Sequence, residues 1–201
     1  LLSWRQRLVD NPKSEPEDRI KLVRTALDFH QTQVAEKAIR NLQGQGVEPI
    51  EYLYLRLLTT LAQGRPAKNI AIRQCREILN HAEAPLEAYR IYWSLCLDSV
   101  DPRFSREAIA HMEQTSTRAG PYGLAALRTL LQLPQQDENK QRLHARRLWE
   151  HPLVQRHDLL LSLRAAFFGK PVPETALRAA LGKQYDRLDN VDLQEVTATL
   201  N

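Results

Sequence analysis

Apolar residues recur along this chain at spacings of three and four, as in Ile20, Val23 and Leu27, or Leu55, Leu58 and Ala62. That spacing lays one apolar stripe along a helix, whereas a half-buried strand would alternate every second residue. Tyr52-Leu53-Tyr54-Leu55 looks strand-like for four residues, but Leu57, Leu58 and Leu61 continue it as a helix. Glycine and proline fall almost entirely between the periodic runs: Asn11-Pro12, Gly44 to Pro49, Gly64 to Pro66, Pro85, Asp101-Pro102, Gly120-Pro121, Pro134, Pro152, and Gly169 to Pro173. Both residues interrupt helices, so these positions read as turns. Ser14 followed by Glu17 has capping-box spacing, with Pro16 just inside the helix. Pro66, Pro102 and Pro173 likewise sit in first turns, where the missing N–H costs nothing. The pattern predicts an all-α chain.

The helices predicted this way come in pairs. First helices begin near positions 17, 51, 86, 122 and 155, and second helices near 32, 66, 103, 137 and 173. A short helix pair cannot bury both apolar faces alone, so neighbouring pairs are expected to stack. The expected units are residues 15–48, 49–84, 85–119, 120–152 and 153–187, within one domain covering 1–201. Residues 1–12 and 190–201 read as flanking half-repeats. The opening LLSWRQRLVDNP has the spacing and the Asn-Pro ending of a second helix, which makes Trp4 an expected core residue. On this reading the chain is a piece of a longer array.

Small residues recur early in the second helices, at Ala35, Ala71, Ala108 and Ala176, each followed four residues on by Ile39, Cys75, Met112 and Ala180. Thirteen residues before each alanine stands a leucine: Leu22, Leu58, Leu95 and Leu163. With these residues in these slots, the chain resembles a degenerate tetratricopeptide repeat array. The glycine slot of that family holds Val23, Thr59, Cys96 and Arg164, and the unit after Pro121 fits loosely, with Leu143 in the alanine slot. The resemblance implies a right-handed α-α superhelix of about five helix pairs whose first helices line a groove that docks an extended segment of another protein. The stretch from Gly44 to Ala71 also looks like a pentatricopeptide repeat, a family that reads single-stranded RNA. Arg56, however, stands where small polar readers are needed, and the neighbouring units do not repeat the signature.

Composition adds a mild positive balance. The net charge is +4 and comes from 28 Lys and Arg against 24 Asp and Glu. That is less than the dense basic face of a nucleic-acid binder. Each first helix carries an arginine, at Arg24, Arg56, Arg90, Arg128 and Arg164. The register puts Arg24, Arg56, Arg90 and Arg128 in the groove, with Trp93 beside Arg90, a set suited to clamping carboxylates of an acidic segment. Chance alone places an arginine in most helices of so arginine-rich a chain. The stretch from Lys140 to Asp158 collects Arg142, His144, Arg146, Arg147, His151, Arg156 and His157, and reads as a solvated basic face. Its histidines lack the spacing of metal ligands. Asp186, Asp189, Asp192 and Glu195 cluster around an expected turn.

Cys75 and Cys96 fall inside apolar helical patterns and read as buried, reduced thiols. No nucleophile elbow, phosphate loop or zinc-protease motif occurs, so no cofactor, metal or enzymatic activity is expected. No apolar stretch is long enough to span a bilayer, and nothing assigns a compartment. The first reading is therefore a non-enzymatic interaction scaffold. RNA binding, and a spacer or self-association role in a larger assembly, are its alternatives.

Overall fold

A computed structural model describes residues 1–10, 14–42, 47–64, 67–133, 137–167 and residue 175. Among them no strand occurs. Ten helices follow in order: α1 (Leu2–Val9), α2 (Pro16–Asp28), α3 (Thr32–Leu42), α4 (Pro49–Ala62), α5 (Lys68–Leu79), α6 (Leu86–Leu97), α7 (Pro102–Thr115), α8 (Pro121–Gln132), α9 (Glu138–Glu150) and α10 (Arg156–Phe167). First helices thus start at Pro16, Pro49, Leu86, Pro121 and Arg156, within two residues of the expected positions. The predicted second helix near Pro173, the closing half-repeat and the acidic cluster after Asp186 lie outside the described residues, as does Pro66.

The chain divides at Asp101-Pro102 into two compact units. In the first, each helix from α1 to α6 packs on the next, with α2 also touching α4. In the second, α7 to α10 pack in sequence and α8 also touches α10. Successive helices therefore bury one another's stripes.

The core of the first unit gathers Leu22, Val23 and Ala26 of α2, Ala35, Ala38, Ile39 and Leu42 of α3, and Leu55 of α4. Leu124, Leu127 and Leu131 of α8 meet Ala145 and Leu148 of α9 and Ala165 of α10 in the second. Each fully buried leucine contributes about 2 kcal/mol. Buried Thr25, Thr59 and Thr115 donate to the carbonyls of Lys21, Leu55 and His111 one turn back, so their hydroxyls enter the core satisfied.

The anchor alanines Ala35, Ala71 and Ala108 are buried, as are Ile39, Cys75 and Met112 four residues on. The fourth pair departs from the expected register. Leu143 is exposed, and Ala145, two residues later, takes the buried place.

Helix ends refine the picture. Pro16 is the first residue of α2, but its N-cap is Glu15 rather than Ser14: the Glu15 N–H donates to the Asp18 carboxylate at 3.3 Å. The Ser14 hydroxyl instead donates to the Val9 carbonyl. At the other end of α2, the N–H groups of His30 and Gln31 donate to the carbonyls of Leu27 and Ala26, a Schellman closure. It requires a left-handed residue, and His30 supplies it at φ 55°. Gly64 does so after α4, at φ 88°. Trp4, expected in the core, is 62% exposed. α1 is held on α2 through Leu2 and Val9, which pack against the first core, and through Arg5, which donates to the Lys21 carbonyl.

Candidate functional site

Charged side chains of α2 and α6 act on Tyr54 of α4. Arg24 of α2 reaches across to Glu51 in the first turn of α4, at 2.9 Å. A carboxylate there also complements the helix dipole. One turn on from Glu51, on the same face, stands half-buried Tyr54. Its hydroxyl is pushed above the usual phenol range by burial and by the Glu87 carboxylate of α6, while Arg24 pulls the other way. Glu87 in turn pairs with Arg90 one turn along α6, at 3.5 Å. Tyr54 thus links the Arg24–Glu51 and Glu87–Arg90 pairs electrostatically into one charged patch. Arg24 and Arg90 keep more than half of their side-chain surface in solvent.

The other predicted site residues sit elsewhere. Arg56 lies five residues from Glu51, about 140° around α4. It pairs at 3.7 Å with Glu77 of α5, the second helix of its own pair. Arg128 belongs to the second unit and is committed there. Its Nε and Nη2 donate to the two carboxylate oxygens of Asp158 at 2.6 and 2.8 Å, and Nη2 also donates to Gln155. Trp93 does not face a groove. It is 1% exposed and packs edge-on against Tyr89, with ring centroids 5.9 Å apart. Helical spacing cannot distinguish an inner-face tryptophan from a core one, and here the core takes it. The side chain of Arg164 lies outside the described residues.

Asp158 is fully buried and saturated. Besides Arg128 it accepts from the Gln155 N–H at 2.8 Å, capping the start of α10, and His157 Nε2 lies 3.3 Å away. Burial raises its pKa, but the Arg128 hydrogen bonds and the Gln155 N–H outweigh that and hold the carboxyl below its usual range. The arrangement is a joint between α8 and α10.

The basic stretch is only partly a solvated face. Arg142 and Arg146 are exposed and pair with Glu138 and Glu150 of their own helix, at 3.7 and 2.9 Å. His144 and His151 are instead buried. His151 Nδ1 accepts from the Leu153 N–H, leaving Nε2 to donate to the Arg118 carbonyl. Cys75 and Cys96 are both buried, and burial together with the Cys96 neighbour pushes the Cys75 thiol up to about 12. Such a thiol stays protonated and unreactive at neutral pH. Among the described residues no group of three or more His, Cys, Asp or Glu is placed to hold a metal ion, and no helix is long and apolar enough to cross a membrane.

Compared with protein-family models, curated proteins and solved structures, the chain matches none.

Glu51, Tyr54 and Glu87 are the members of the patch that the arginine pattern overlooked. The signal was there in the spacing: Glu51 and Tyr54, like Glu87 and Arg90, stand three apart on successive first helices, so each couple shares a face.

Proposed function

We propose that this chain is a non-enzymatic, tetratricopeptide-like scaffold whose first unit docks an extended segment of a partner protein across α2, α4 and α6. The observation that carries the reading is the two exposed ion pairs Arg24–Glu51 and Glu87–Arg90, whose Arg24 and Glu87 act on half-buried Tyr54 between them in the helix order. The repeat-like advance of helix starts and the buried alanines Ala35, Ala71 and Ala108 support the solenoid part, with a right-handed superhelix as its expected geometry.

Exposed ion pairs of this kind are worth only about 0–1 kcal/mol each. A ligand can therefore exchange them at small cost. Tyr54 supplies a large, stiff anchor with a polar tip, the residue type that concentrates binding energy in interfaces. The charge order matters for the partner. Both arginines already face a carboxylate, so a purely acidic segment would meet Glu51 and Glu87 as repelling neighbours. A segment carrying both signs, with basic groups toward Glu51 and Glu87 and acidic groups toward Arg24 and Arg90, fits better.

The test starts by capturing partners on the immobilised chain, identifying them and purifying them. Each purified partner is then titrated against wild type and Tyr54→Ala. A loss of tenfold or more in affinity on truncating Tyr54 supports the face. Retention of RNA in place of protein, with affinity falling steeply as salt rises, would overturn it.

A further inference from the structure

The second unit contains a polar seam along one face of α9. Lys140, His144 and Arg147 follow one another at intervals of four and three residues, so they share that face, and His151 stands at the helix's C-terminal cap. Three of them grip the end of α7 and the turn after it. Lys140 pairs with Glu113 at 2.9 Å, Arg147 donates to the Ser116 hydroxyl at 3.3 Å, and His151 reaches the Arg118 carbonyl. The fourth, His144, sits in the middle and is 2% exposed. Among the described residues neither of its ring nitrogens has a hydrogen-bond partner.

We propose that this seam is an acid-sensitive joint between α7 and α9, with His144 as the group whose protonation opens it. A buried imidazole with two unpartnered nitrogens is tolerable only while it is neutral. A proton there would put a charge where the described residues offer no acceptor, and between Lys140 and Arg147 of the same helix. The charged groups facing it are Glu113 from α7, which favours the proton, and Arg147 and Lys140 from α9, which oppose it. Glu113 is already engaged by Lys140. The apolar residues that α8 and α10 share in one core cluster with α9 are leucines and an alanine, which offer no compensation. Burial, the largest effect, also pushes the imidazole below its ordinary range.

The sign follows from linkage. A histidine whose folded pKa is depressed leaves stability intact above the unfolded value of about 6.5 and removes it as pH falls below that. Opening of the seam is then expected to grow by up to about tenfold per pH unit below 6.5, until the folded pKa is reached.

Hydrogen exchange on the intact chain, resolved to peptides of α7 and α9 and corrected for intrinsic rates, reads this directly. Between about pH 7.5 and 5.5, wild-type protection in α7 and α9 should fall, and in His144→Leu it should stay level. A pH dependence that persists in His144→Leu would overturn the proposal, since it would belong to another group. Should His144→Leu fail to fold, an NMR titration of wild-type His144 decides. A pKa below the free-histidine value supports the joint, and one at or above it refutes the joint.

Discussion

Two backbone positions show how single residues set local geometry. His30 occupies a left-handed conformation that costs an L-residue about 1–2 kcal/mol, because the Schellman closure of α2 needs positive φ there. Glycine does the same job after α4 at Gly64, 34 residues on. His30→Gly is therefore expected to stabilise the chain by about 1 kcal/mol, read as a higher denaturant midpoint with an unchanged slope. Gly123 is the opposite case. It lies inside α8, where helix propensity alone would favour alanine by about 1 kcal/mol. A Cβ built there, however, would stand 1.9 Å from the Arg118 carbonyl oxygen. That oxygen is backbone and cannot swing away, so the clash outweighs the propensity. Gly123→Ala should destabilise by about 1–3 kcal/mol, and a neutral result in chemical denaturation would show that the α7–α8 turn yields more easily than its geometry implies.

Among the elements, the Arg128–Asp158 joint between α8 and α10 is the strongest single electrostatic connection described. Asp158 has no solvent access, so removing its cation leaves a buried carboxylate with its main partner gone. Arg128→Ala is expected to cost about 3–5 kcal/mol, localised by hydrogen exchange to α8 and α10. Because Asp158 titrates below its usual range, the joint's contribution is complete above the unfolded carboxyl value of about 3.9 and fades as pH falls through the lower folded value. Acid unfolding of wild type and Arg128→Ala should therefore converge at low pH. A gap that stays constant down to pH ~2 would contradict this linkage. Helix starts were legible in the sequence because period and punctuation are local properties: Pro16, Leu86, Pro102 and Pro121 all open helices where spacing put them. Which face of a helix is buried was less so. Trp93 and Arg56 fit an inner-face register on spacing, yet one packs into the core and the other turns toward α5. His144 read as part of a basic run because its burial depends on what α9 packs against, which lies outside its own neighbourhood in sequence.

On the scale of the whole molecule, helix pairs that pack on their neighbours form two compact units, and the proposed docking face lies within the first. The arginine count suggested a ladder running the length of the chain. Its described members are spent differently: Arg128 on an internal joint, Arg56 on α5, and Arg24 and Arg90 on the ion pairs of the patch. On the proposed reading, partner choice rests on three helices and a mixed pattern of charge, which a tally of basic residues cannot express. The measurement that tests this most directly is the affinity of a purified partner for wild type, for Arg24→Glu/Arg90→Glu and for Arg56→Glu, with folding verified for each. The account predicts a loss of tenfold or more for the double reversal and little change for Arg56→Glu. Equal affinities for all three proteins, or a loss confined to Arg56→Glu, would contradict it.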